Sequence, residues 1–160
     1  MGEDAKTEIQ FRSAMDTAVG LLARRPHTTH ELSLKLKKRR IRGEIIERVV
    51  AECMRLNYLD DEDTARRYVA ELKSKGYGRR HVSAAMRKKG LAADTAEIAL
   101  EDGYSHSEEK EIALKMLDKK MNTFTREKDR YKRRGKIYRY LYSRGFSSDV
   151  ITATIHKALT

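Results

Sequence analysis

The stretch His81-Val82-Ser83-Ala84-Ala85-Met86-Arg87-Lys88-Lys89-Gly90-Leu91, continued through Asp94-Thr95-Ala96-Glu97 to Leu100, decides how the whole chain is read. Val82 and Met86 are four residues apart, so both face one side of a short basic helix, and Gly90 can take the left-handed conformation that closes it. A second helix starts near Asp94. Shifted back by about fifty positions, the apolar places Val82, Met86, Leu91, Ala96, Ala99 and Leu100 fall on Leu32, Leu36, Ile41, Ile46, Val49 and Val50. Shifted forward by about fifty-five, they fall on Ile137, Leu141, Phe146, Ile151, Thr154 and Ile155, of which only Thr154 is not apolar. Copies at a period of about 50 residues mark an array of supersecondary units.

Each unit gains a first helix. Phe11, Met15, Ala18, Val19 and Leu22 recur at helical spacing between Thr7 and Arg25, and Ala65, Tyr68, Val69 and Leu72 repeat them. Pro26 ends the first helix, and Thr28 with Glu31 forms a capping box for the second. A third helix over 43–57 turns Ile45, Ile46, Val49, Val50, Cys53 and Met54 inward. The second unit reads as helices over 61–75, 78–89 and 92–102. Ser105 and Glu108 repeat the capping-box pattern, and a last helix from Ser147 to Leu159 closes the chain. The register slips by about seven residues around 121–130, which predicts a longer loop or added turns there. The expected architecture is all-α: tandem three-helix repeats over 7–59, 60–103 and 105–160, forming an elongated, curved, right-handed-type array.

Composition restricts the function classes. The 160 residues carry a net charge of +11 and are 37% charged, which favours small local cores and polyanionic partners. Cys53 is the only cysteine, so no intramolecular disulfide forms, in keeping with a reducing compartment. No apolar run approaches the roughly 18 residues needed to cross a bilayer, and the acidic start opposes a signal peptide, so a cytoplasmic protein without membrane contact is expected. The chain closes with its last repeat, leaving no appended catalytic domain in the reading.

The cations sit on the middle helix of each unit and its flanking turns. The residues expected to meet a long polyanion are Lys35, Lys38, Arg39 and Arg42 in the first unit, and Lys75, Arg79, Arg80, Arg87, Lys88 and Lys89 in the second. Lys132, Arg133, Arg134, Lys136, Arg139 and Arg144 supply the third. Such a stripe neutralises phosphates without choosing sequence, on single- or double-stranded DNA. Helices that read base edges offer Asn or Gln beside Arg, and these have almost none. Tyr77 and Tyr104 either stack on exposed bases or pack as turn residues against a neighbouring unit. Helical spacing makes Tyr138, Leu141 and Tyr142 core positions.

Catalytic chemistry finds little support. Gly76-Tyr77-Gly78-Arg79 is too short for a phosphate-binding loop. His27, His30 and Cys53 are too few for a closed zinc site. The run Asp60-Asp61-Glu62-Asp63 reads as helix capping; the rival is a metal-dependent nuclease on Asp60, Asp61 and Asp63. No metal, cofactor or catalytic residue is expected, and the reading is of a binding protein.

Leu59-Asp60-Asp61, Ala65 with Tyr68-Val69, Lys75-Gly76-Tyr77-Gly78-Arg79 and Arg87-Lys88-Lys89-Gly90-Leu91 together resemble the RecX regulatory proteins of bacteria. So do Leu22-Ala23-Arg24-Arg25, Glu31-Leu32, Leu36-Lys37 and Leu141-Tyr142-Ser143-Arg144-Gly145-Phe146. The resemblance implies three tandem three-helix repeats that lodge in the groove of the RecA filament on DNA. It implies inhibition of filament growth, ATP hydrolysis and strand exchange by a protein that catalyses nothing; a monomer is the separate expectation. Two departures stand out: Arg40 replaces the glycine usual before Ile41, and the third unit is unusually basic. The alternative is a helix-turn-helix DNA-binding regulator without RecA contact.

Overall fold

In the computed structural model, which describes residues 2–160, every regular element is a helix. The first unit comprises α1 (Glu3–Arg24), α2 (Thr29–Lys38) and α3 (Gly43–Arg55). The second comprises α4 (Asp61–Ser74), α5 (Arg79–Lys88) and α6 (Ala93–Gly103). The third comprises α7 (His106–Asp118), α9 (Arg130–Ser143) and α10 (Ser148–Leu159), with the one-turn α8 (Met121–Phe124) between the first two.

Each unit closes on its own core, because helices this short bury enough surface only by packing in threes. The repeat positions line these cores: all are buried except Ile41, Val50 and Ala96, which are half-buried. Thr154 occupies its apolar counterparts' place with its hydroxyl donating to the Val150 carbonyl at 2.7 Å, so burial leaves no donor unpaired. Periodicity overreached at Val19, Met54 and Tyr142, which are 42%, 53% and 47% exposed. They lie at the edges of their helices' apolar stripes, and Tyr142 is met from outside its unit by the Arg80 guanidinium. The first helix also begins at Glu3, four residues before the expected start at Thr7.

The units join through helix ends. The last carbonyls of a helix and the first amides of the next lack partners within their own helices. Here they serve one another across units. At the end of α5 the Lys89 carbonyl accepts from the Thr28 hydroxyl at the start of α2, at 2.7 Å. At the end of α9 the carbonyls of Arg144 and Gly145 accept from the amides of Gly78 and Arg80 at 2.9 and 3.1 Å. The middle helices α9, α5 and α2 thus follow one another head to tail, the negative end of each dipole against the positive end of the next.

This arrangement accounts for the turn at Arg40. Gly90 and Gly145 have φ of +73° and +88°, and a Cβ on either would collide with His30 or His81 of the adjoining helix start. Arg40 adopts the same left-handed turn with φ of +62°. It stands at the end of α2, where among the described residues no helix start adjoins, so only the conformational strain opposes a side chain.

Candidate nucleoprotein interface

The first joint is built from polar groups around α2. Thr28 and Glu31 complete a capping box, the Thr28 amide donating to Glu31 at 3.0 Å and the Glu31 amide to the Thr28 hydroxyl at 3.0 Å. Asp61 reaches over from α4 and accepts from the amide and hydroxyl of Thr29 at 2.9 and 2.8 Å. Lys89 ion-pairs with Glu31 at 3.1 Å and lies 4.6 Å above the Tyr68 ring.

The second joint is denser. Gly78, the residue before α5, has no side chain to cap it. The cap comes from the third unit: besides the two α9 carbonyls, the buried Glu109 carboxylate accepts from the Arg79 amide at 3.0 Å. Lys73 bonds the Gly103 carbonyl at 2.7 Å and Glu108 at 3.0 Å. The Ser105 amide and Lys73 hold the Glu108 carboxyl down at about 2. Arg144 donates to the carbonyls of Gly76 and Lys75, its guanidinium 4.6 Å from the Tyr77 ring centroid.

These joints divide the predicted basic residues into two groups. Lys89 and Arg144 are clasps, and Arg80 is close to one: it stacks over Tyr142 at 4.3 Å and donates to its hydroxyl at 3.1 Å. Arg79 is half-buried and paired with Glu97, Lys75 with Glu71, Arg42 with Glu44, and Lys136 with Glu127. Arg133 donates to the Glu127 carbonyl at 2.8 Å, and Lys35 is half-buried. Lys38, Arg39, Arg87, Lys88, Lys132, Arg134 and Arg139 are exposed and, among the described residues, have no carboxylate within ion-pair distance. Arg39, Lys89 and Arg144 occupy the same repeat position, just past the middle helix; only Arg39, at the outer end of the row, is unpaired.

Other candidates resolve into structural roles. Tyr104 is buried, its hydroxyl donating to the Tyr77 carbonyl at 2.8 Å, and burial pushes its ionisation well up. Tyr77 stacks on His81 at 3.9 Å, so neither ring is a free platform. Asp60 caps α4 by accepting from the Asp63 amide, and Asp63 pairs with Arg67, while Asp61 belongs to the first joint. Among the described residues no three His, Cys, Asp or Glu side chains are grouped to hold a metal ion. Cys53 is buried, which raises its thiol pKa and favours the unreactive neutral form. No helix among them is long and apolar enough to cross a membrane. None of α2, α5 and α9 contains Asn or Gln.

Comparison with known proteins follows the same three units. Residues 14–53, 60–100 and 107–155 match, in that order, the family profiles described as the first, second and third three-helix domains of RecX. Over 150 residues the chain is 33% identical to a regulatory protein RecX of Prosthecochloris aestuarii, covering 93% of this chain and 95% of that one. The chain belongs to the RecX family. A RecX of Leuconostoc mesenteroides is 30% identical over 158 residues; the chain spans only 58% of that protein's length. The crystal structure of RecX from Lactobacillus salivarius superposes with a TM-score of 0.86 over 94% of this chain and 97% of that one, at 22% identity, and so shares the fold. RecX proteins are regulatory by name, and the three units follow the RecX architecture of three-helix domains, the third with the one-turn α8 added.

Proposed function

We propose that this RecX-family chain binds the RecA filament on DNA and inhibits filament growth, ATP hydrolysis and strand exchange, acting as a monomer and without catalysis. The observation that supports this most is the head-to-tail row of middle helices, with unpaired cations on all three: Lys38 and Arg39, Arg87 and Lys88, Lys132 with Arg134 and Arg139. A row of separated positive sites suits a long, regularly charged partner better than a compact ligand. Phosphate contacts of this kind carry no sequence information, and the lack of Asn and Gln on these helices supports sequence-independent binding.

The residues best placed to meet the filament are those not used by the joints. Lys38, Arg39, Arg87 and Lys88 changed together to Glu should weaken inhibition of RecA's DNA-dependent ATPase by at least about ten-fold, since each lost phosphate contact removes affinity and makes the remaining salt dependence shallower. The fold should survive, because none of the four bonds across a joint. Full inhibition by a folded quadruple variant would remove this face from the interface.

A further inference from the structure

The third unit carries a column of aromatic rings along α9, of which Tyr138 also packs against the core while Tyr142 and Tyr131 are exposed. Tyr138 and Tyr142 lie one turn apart on α9, their centroids 6.1 Å apart and their planes 14° from parallel. Four residues advance a helix by about 6 Å, so the rings succeed one another along the axis. Arg80 of the second unit closes one end of the column over Tyr142. Toward the start of α9 the stripe continues with Gly135 and then Tyr131.

Those two residues are unexplained by the fold. Tyr131 is 87% exposed, a large ring in contact with no other aromatic side chain. Gly135 sits mid-helix, where glycine is disfavoured, yet a Cβ there would meet nothing within 4 Å. Packing does not require the glycine. Its effect is to leave one place in the column vacant, and an open groove of about 360 Å³ runs past Tyr131, Gly135 and Tyr138, flanked by Arg134 and Arg139 and walled on the α10 side by Thr152 and Ile155.

We propose that the vacancy over Gly135 is a stacking slot for an unpaired nucleobase, with Arg134 and Arg139 taking the phosphates on either side. The occupant must be both planar and anionic. The rings offer flat π faces, and the surrounding Arg130, Lys132, Arg133 and Arg134 outweigh Glu127 and Asp129. A single strand provides free base faces and a charged backbone together; in a duplex those faces are already stacked. The slot rests on the nucleoprotein reading, since it supplies that surface with a preference for unpaired over paired DNA. Because every base has a π face, it adds no sequence choice.

The test uses the intact chain and two labelled strands of equal length, oligothymidylate and one whose central residues are abasic, followed by fluorescence anisotropy. The abasic strand keeps the phosphates and lacks the rings. The unaltered chain should bind oligothymidylate about ten-fold more tightly than the abasic strand, the size of one good stack. Tyr131→Ala and Gly135→Leu should both erase that difference, while Tyr131→Phe keeps it. Leucine favours helix over glycine, so Gly135→Leu should unfold at no lower temperature than the parent, which separates a blocked slot from a lost fold. Equal affinity for the two strands, or a base preference that survives Tyr131→Ala, would overturn the slot. So would an acidic peptide whose binding depends on Tyr131 as strongly as the strand's does, since it would assign the groove to a protein surface. RecA ATPase inhibition separates the two readings: retained inhibition with no base preference overturns the slot alone, and base preference without inhibition overturns the filament reading alone.

Discussion

Arg144, at the end of the last middle helix, holds the turn at Gly76 from the neighbouring unit: its Nε donates to the Gly76 carbonyl at 2.9 Å, and its Nη2 to the Lys75 carbonyl at 2.6 Å. Both carbonyls lie just past the last turn of α4, where no further helical turn supplies donors, so one planar guanidinium satisfies two acceptors. A residue that sequence reading places among the DNA-facing cations is therefore a fastener between units.

Arg144→Ala should lower unfolding free energy by about 2–3 kcal/mol, the usual size for charge-assisted bonds lost from a part-buried site. Arg144→Lys should lose nearly as much, because an ammonium cannot reproduce the fork or the stack over Tyr77. Urea denaturation measures both. Parent-like midpoints in either variant would show that the clasp holds nothing.

Arg40 offers the opposite experiment. Its left-handed backbone is strained and no unit presses on it, so Arg40→Gly should stabilise the chain by about 0.5–1 kcal/mol, the strain relieved less the freedom gained by the unfolded chain. At the equivalent turn, Gly90→Ala should destabilise by more than about 1 kcal/mol, since it adds both the strain and a collision with His30. Thermal unfolding of the pair is decisive: shifts of the same sign would contradict the difference between a free end and a joint.

His27 makes stability depend on pH. The Arg25 carbonyl can only accept, so the 2.9 Å contact to Nδ1 fixes a proton there, and the buried Nε2 is left without a partner. Burial lowers the imidazole's pKa from its ordinary 6.5, opposed by the bond to the Arg25 carbonyl and by Glu31 and helped by the charges of Arg25 and Lys35. The folded state thus binds fewer protons than the unfolded one below that value. Stability from this group is complete above about pH 6.5 and declines as the pH falls through it. His27→Asn keeps a donor for the carbonyl and removes the titration, so the drop in urea midpoint between pH 7.5 and 5.5 should shrink. His81, lowered by burial and by Arg144, accounts for part of what remains. An unchanged drop in His27→Asn would rule out His27 as the source.

The repeats were legible because burial follows a period: Val82 and Met86 find Leu32 and Leu36 in one direction and Ile137 and Leu141 in the other. The capping boxes at Thr28 and Ser105 were legible because both partners lie three residues apart. The joints were not, since they pair residues far apart in sequence. Nothing near Gly78 announces that Glu109 caps its helix, nor does the acidic run before α4 reveal that Asp61 holds Thr29. One signal was available: Arg39, Lys89 and Arg144 share a repeat position, and the glycine that follows the last two is Arg40 after the first. Charge alone could not tell clasp from exposed cation, which depends on whether another helix start adjoins.

RecA's steady-state ATP hydrolysis on single-stranded DNA, followed while the intact chain is added, tests the central claim most directly. The rate should fall progressively as the chain is added, and added salt should relieve the inhibition because the contacts are largely to phosphate. A rate that stays constant at every concentration of folded chain, with filaments assembled and salt low, would contradict it.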